Sequence, residues 1–393
     1  MLQSQADQRP ATARLALWNL GFRPFYLLAS LFAAVSVALW VLQYAGYLPF
    51  AYVRGPAWHG SEMLFGFTTA VIAGFLFTAV RNWTGQPTPS GALLAAIAVL
   101  WIAGRVLTAT PYETAAAWVN AAFPVAVAAG IAMPLVRAGN RRNYFFVGLL
   151  LALALLALTL HLSYFGVVSW PERASLRVGL DLVMFIMAVM GGRVIPMFTN
   201  NAIRGTNARR HPATEWAALA GILLVVAADL AAAPATLLVP LLIALALAHG
   251  ARLWLWKPWR TVRMPLVWIL HAAYAWIVVH LVLRALAAAG LVADPLAVHA
   301  LTIGAIGALT LGMMTRTARG HTGRPLRADR RDVACYVLVT SAALVRVAVP
   351  LALPDTYRLT VIAAGACWAT AFALYAVAYW PSLSQPRLDG KPG

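Results

Sequence analysis

Twelve apolar runs, each long enough to cross a lipid bilayer, constrain the fold of this 393-residue chain more than any other feature. A spanning helix needs roughly 17 to 25 mostly apolar residues, and such runs lie at 25–44, 62–79, 92–109, 115–136, 144–166 and 175–197. Six more follow at 214–231, 236–256, 265–289, 296–318, 333–353 and 358–380. Hydrophobic residues make up 62% of the chain and charged residues 11%, a balance with which a soluble domain of this length could not hide its apolar surface. The expected class is therefore all-α, a polytopic bundle of twelve transmembrane helices. Short turns around Pro234 and Pro354 separate helices 7 from 8 and 11 from 12.

A formal charge of +18 on a compact soluble chain would suggest nucleic acid as a partner. Its distribution excludes that reading. Arg9, Arg14, Arg23, Arg81, Arg137, Arg141, Arg142, Arg204, Arg209, Arg210, Lys257, Arg260, Arg263, Arg319, Arg324, Arg327, Arg330, Arg331, Arg387 and Lys391 fall in the termini and in every second loop. The alternate loops hold only Arg54, Arg173 and Arg358, with acidic Glu113, Glu172, Asp294 and Asp355 among them. This alternation follows the positive-inside rule and places both termini in the cytoplasm with an even number of spans. The organisation is then a cytoplasmic segment 1–24, a twelve-helix domain 25–380 and a cytoplasmic tail 381–393. The first apolar run is too long for a signal peptide and lacks a small-residue cleavage site, so it reads as a retained anchor. No internal repeat is visible, which disfavours a transporter built from duplicated halves.

Histidine inside a bilayer is costly and marks a functional site by default. At about 1.5 Å per residue, His59, His161 and His299 fall at one level near the outer face. His249 and His271 share a second level, about 10 Å in from the cytoplasmic ends of helices 8 and 9. Nine residues at about 100° each put His280 on the opposite face of helix 9 from His271, where packing or a hydrogen bond to a neighbouring helix is its expected role. His211 and His321 fall in cytoplasmic loops. Neutral imidazole suits haem iron and copper alike, and the absence of a CxxCH motif excludes covalent c-type haem. The plainer alternative is hydrogen bonding between helices.

Other polar residues point to an outer cavity. Glu62 stands three residues after His59 on nearly the same helix face, and Arg177 and Asp181 are spaced to pair along helix 6. Arg105, Asp229, Arg284 and Arg346 sit in the outer parts of their helices, either snorkelling to the interface or neutralising a cofactor and carrying protons. Met184, Met187 and Met190 form a stripe that reads as packing before copper ligation. Gly66, Ala70 and Gly74, and again Gly304, Ala308 and Gly312, recur every fourth residue and let helices 2 and 10 approach their neighbours closely. Cys335 and Cys367 lie within helices 11 and 12 and read as inert packing.

Five blocks carry a family resemblance: LGFRPFYLLASLFA at 20–33, WHGSEMLFGFTTAVIAGFLFTAVRNWTG at 58–85, GGRVIPMFTNNA at 191–202, WILHAAYAW at 268–276 and HALTIGAIGALTLGMMTRTARGHTGRPL at 299–326. Together they resemble the NnrS family. The resemblance implies a twelve-helix protein of the bacterial inner membrane that contains haem, here of b type, and copper, and that serves nitric oxide metabolism and resistance to nitrosative stress. It implies metal ligation at His59, His271, His299 and His321, and His161 and His249 stand where relatives often have histidine. Arg23, Arg193 and Arg316 match recurrent polar positions and are taken as cofactor-binding, and Glu62, matching another, as the catalytic, proton-handling residue. Where the family block reads WHAHEM, this chain has Ser61 in place of the second histidine, a departure that bears on any copper site needing both imidazoles.

Three functions follow as expectations. The first is reduction or detoxification of nitric oxide at a histidine-ligated metal centre, with electrons from quinol in the lipid bilayer or from a separate carrier. The second is a haem and copper protein that binds or senses nitric oxide, or protects iron centres from it, without turnover. The third, resting on the helix count alone, is a transporter.

Overall fold

The computed structural model describes residues 15–48 and 55–390. Arg9, Arg14, Arg54 and Lys391 of the charge pattern lie outside them. The described residues form helices and no strand. Twelve helices are long and apolar enough to cross a membrane: α1 (Phe22–Tyr44), α2 (Gly55–Thr84), α3 (Gly91–Thr108), α4 (Glu113–Arg137), α5 (Arg141–Tyr164), α6 (Glu172–Ala202), α7 (Pro212–Leu230), α8 (Ala235–Arg260), α9 (Pro265–Ala288), α10 (Asp294–His321), α11 (Arg330–Ala352) and α12 (Pro354–Ser384). The protein is a multi-pass membrane protein. Many outward-facing positions are large and apolar, Val99, Leu155, Leu247 and Val377 among them, as lipid-facing surface requires.

Breaker chemistry sets the helix ends. Pro212 and Pro265 occupy first turns, where the missing N–H costs nothing. Asp329 caps α11, accepting from the backbone N–H groups of Arg331 (2.8 Å) and Asp332 (3.0 Å). The helix α2 begins seven residues before the apolar run at 62–79, because Gly55 adopts φ +61° without strain and starts the helix there. His59 consequently lies inside the helix, more than a turn from its start, and not ahead of it.

Of the twelve, α2, α6 and α10 are the most enclosed by their neighbours. The small-residue stripes explain how two of these are accommodated. A Cβ on Gly74 would stand 3.0 Å from Phe25 and Tyr26 of α1, and one on Gly312 would stand 2.8 Å from Leu270 of α9. A Cβ on Gly304 would collide with the Trp276 indole of α9. Met184 and Met187 are buried in the main apolar core, the packing role expected of the stripe.

Both α2 and α10 also contain a π-helical stretch, Glu62–Thr68 and Ala300–Gly307. Such wide turns displace backbone carbonyls from the regular ladder and are frequent at functional sites. One displaced group is accounted for: the Gly66 carbonyl accepts from Trp101 Nε1 of α3 at 3.0 Å. His299 immediately precedes its π stretch, and His59 stands three residues before the other.

The close approach at Gly304 gives a direct test. Gly304→Ala is expected to destabilise the detergent-solubilised protein by about 1–3 kcal/mol, the usual cost of overpacking. Gly250→Ala, where an added Cβ meets nothing within 4 Å, should leave the melting temperature unchanged or raise it slightly.

Candidate functional site

A cavity of about 430 Å³ opens among α1, α2, α6, α9, α10, α11 and α12. It lies toward the ends of α1 and α11 and the starts of α2, α10 and α12, hence at the end of the bundle away from the described termini. Three histidines line it: His59, His280 and His299. Its walls are otherwise mostly apolar, with Met63, Phe67, Leu180, Ile303 and Trp368 among them.

Each imidazole is held in a definite way. Trp40 stacks on His59 with ring centroids 5.0 Å apart and planes 14° off parallel, and the buried His59 Nδ1 has no hydrogen-bond partner. His280 Nδ1 lies 2.8 Å from the Ala297 carbonyl of α10. His299 Nδ1 lies 2.6 Å from the Pro295 carbonyl, one turn back in α10. Since a carbonyl only accepts, each of these two rings donates from Nδ1 and keeps its lone pair on Nε2. At His280 that Nε2 is buried without a partner. A carbonyl that fixes the tautomer while the other nitrogen stays free is the arrangement ligating histidines use.

By depth along the sequence, His59, His161 and His299 share one outer level. The structure puts two of these on the cavity and not the third. His161 is buried near the end of α5, within electrostatic range of Arg105, and does not line the cavity. No three His, Cys, Asp or Glu side chains among the described residues are grouped so that they could hold one metal ion. The donor set therefore fits a haem, whose iron takes only one or two protein ligands, better than a metal centre that needs three. His280 forms the expected hydrogen bond to a neighbouring helix and also lines the cavity, a role the sequence reading did not give it. The signal was available: His280 is eight residues from the end of α9, about 12 Å, not far from the depth of His299.

Glu62 does not line the cavity. Its carboxylate is directed toward α3, where Arg105 Nη1 donates to Oε2 at 2.7 Å in a pair shielded from solvent. Gly66 makes room for that guanidinium, because any Cβ there would collide with Arg105 Nη1. Neither Arg105 nor Arg284 snorkels. The expected Arg177–Asp181 pair along α6 is replaced by pairs between helices. Asp181 is buried and accepts from Arg284 Nη1 of α9 at 2.8 Å, while half-buried Arg177 reaches both Asp294 oxygens, at 2.9 and 3.0 Å. Arg284 also pairs with Asp229 of α7, so one guanidinium serves two carboxylates.

The inner histidines, level with one another by sequence, sit on adjacent, packed helices. They hydrogen-bond to separate groups, His249 Nδ1 to Tyr274 Oη at 2.7 Å and His271 Nε2 to Thr199 Oγ1 at 2.9 Å. Ring contacts run from His271 through fully buried Trp256 to Tyr274 and His249. Arg252, entirely buried, organises this region. It donates to both Glu215 oxygens at 2.9 and 3.0 Å, to Tyr274 Oη at 2.5 Å and to the Ala188 carbonyl at 3.0 Å. Sequence reading missed Arg252 and Glu215, although an arginine and a glutamate within predicted spans were the signal. The remaining nitrogens, His249 Nε2 and His271 Nδ1, are buried without partners.

The other expected cofactor positions lie at the opposite end and do not line the cavity. Arg23 donates to the Leu383 (3.0 Å) and Gln385 (2.7 Å) carbonyls at the end of α12. Arg193 donates to Asn143 Oδ1 at 2.7 Å, and the Arg316 guanidinium lies 3.7 Å from the Phe198 ring centroid. His321 packs on Phe22 with centroids 5.6 Å apart.

The sequence pattern of the NnrS protein family matches residues 16–387, nearly the whole chain. The chain belongs to the NnrS family. Membership makes it a nitric-oxide-related membrane protein of a haem- and metal-associated family. No curated protein matches the chain.

The charge arrangement beside the cavity predicts a large energetic effect. Arg284→Gln leaves Asp181 and Asp229 facing one another without a cation, a change expected to cost on the order of 3–5 kcal/mol. Thermal or denaturant unfolding should show the loss, and adding Asp229→Asn to Arg284→Gln should recover part of it.

Proposed function

We propose that this NnrS protein handles nitric oxide at a haem centre in the cavity bordered by His59, His280 and His299. The single observation that carries this is the pair of imidazoles, His280 and His299, whose Nδ1 atoms face backbone carbonyls while their Nε2 lone pairs are left for a ligand. Haem b iron, when bound, supplies a redox centre that binds nitric oxide. The protein's part is to fix ring orientation through Ala297 O, Pro295 O and the Trp40 stack. Apolar walls exclude bulk water and admit a small apolar gas straight from the lipid.

For copper, the inner region offers two imidazoles, since His249 and His271 each keep one unpartnered ring nitrogen, while His161 at the outer end of α5 and His321 beside Phe22 stand apart from them. Arg193 and Arg316 provide positive charge at the inner end. The charge pattern supports an orientation with both termini in the cytoplasm and the cavity facing the periplasm, in a bacterial inner membrane. On this reading the spanning domain 25–380 is the functional unit between a short cytoplasmic segment 1–24 and tail 381–393.

Reduction of nitric oxide needs protons and electrons. Glu62 is the proposed proton-handling residue, with electrons from quinol or from a separate carrier. Its lock on Arg105, away from the cavity, favours the second reading: a protein that binds nitric oxide and protects other iron centres without turnover. Turnover would require that pair to open.

Measurement separates these readings. His280→Ala and His299→Ala are each expected to lower haem content per folded protein, whereas Glu62→Gln should leave haem content intact. If nitric oxide is reduced, Glu62→Gln should also lower steady consumption with a quinol donor. Binding without turnover predicts no sustained consumption by the wild type. Full haem content in both histidine variants would remove the cavity site.

A further inference from the structure

Four arginines are buried among the described residues: Arg23, Arg252, Arg284 and Arg346. Arg252 and Arg284 meet carboxylates, and Arg23 meets the carbonyls ending α12. Arg346 meets neither. On α11, 5% exposed, it donates from Nη2 to the Tyr357 hydroxyl at 2.6 Å, and its guanidinium carbon stands 4.5 Å from the same ring's centroid. No carboxylate among the described residues pairs with it, and Nη1 is buried without a partner.

Arg346 also lines the outer cavity. An uncompensated guanidinium in such a place carries a large desolvation penalty, and arginine does not escape it by losing its proton. A neutral hydroxyl and an aromatic face offset only part of that cost. The cavity's other cations are already used or lie at its rim: Arg284 pairs with Asp181 and Asp229, Arg177 pairs with Asp294, and Arg173 is exposed. Those acidic groups are thus committed to their own cations.

We propose that Arg346 is the anchor of an anion site in the outer cavity that takes a small planar monoanion of the carboxylate or nitrite type. One guanidinium neutralises one negative charge, so a monoanion leaves the site neutral and a phosphate dianion leaves an excess charge in apolar surroundings. The flat guanidinium fork matches a planar two-oxygen acceptor. Here Tyr357 holds Nη2 and leaves Nη1 as the free donor. The apolar walls around it favour an anion with little hydration to give up. The anion is either free in solution or the carboxylate of a bound cofactor such as haem, and only the second source rests on the haem reading.

The test uses full-length protein in nanodiscs without nitric oxide, so its outcome is separate from that of the proposed function. Formate and nitrite are the probes, with binding followed by calorimetry and by the melting temperature, and haem per folded protein is measured alongside. A free anion predicts saturable binding that raises the wild-type melting temperature and weakens about 10- to 100-fold in Arg346→Gln, the loss expected for a charge-assisted hydrogen bond. A cofactor carboxylate predicts no binding of either probe, with haem content lowered in Arg346→Gln. Should Arg346→Gln fail to fold, Arg346→Lys, which keeps the charge and loses the fork, takes its place with smaller losses of the same kind. Probe binding equal in wild type and variant, or no binding together with unchanged haem content, overturns the proposal.

Discussion

A guanidinium drawn into the apolar interior of a membrane protein has to find negative charge or dipoles there, and this requirement ties the bundle together. Arg284 joins α9 to Asp181 of α6 and Asp229 of α7. Arg252 joins α8 to Glu215 of α7, Tyr274 of α9 and a carbonyl of α6. Arg23 joins the first helix to the end of the last, where unsatisfied carbonyls and the helix dipole offer negative potential. Lipid supplies little drive for apolar surfaces to associate, so these few polar bonds and the glycine approaches set which helices are neighbours.

The same polar bonds bound the cavity. The Arg284 group closes its α6–α9 side, and Arg177 with Asp294 links α6 to α10 near its rim. Histidines on α2 and α10 stand beside π-helical stretches, and the third stands on α9, against which α10 packs tightly through Gly304 and Gly312. Wide turns in two of the three histidine-bearing helices, held by close glycine packing and interhelical ion pairs, suit imidazoles that keep a free lone pair. Membership of a nitric-oxide-related family and a cavity bordered by three histidines are consistent with each other.

The helical fold was legible because a spanning helix announces itself by length and hydropathy, and the glycine stripes marked α2 and α10 as tightly packed. Depth was legible too, at 1.5 Å per residue, and it placed His59 and His299 together. Azimuth was not. Glu62 follows His59 by three residues, about 60° short of a full turn, and that offset is enough to face it toward Arg105 of α3 while His59 faces the cavity. His280 was judged by its face relative to His271, when the relevant neighbour was α10. Arg177 and Asp181 show the same limit, since spacing along one helix permits a pair that two better-placed partners on other helices capture.

The central claim is that the cavity lined by His59, His280 and His299 holds the haem of this protein. Anomalous diffraction from crystals of the purified protein, collected at the iron absorption edge, tests it most directly. The account predicts an iron peak inside this cavity within bonding distance of an imidazole nitrogen of at least one of the three, about 2 Å for a histidine-ligated metal. Iron located instead beside His249 and His271, or a fully folded protein with no iron peak in the cavity, would contradict it.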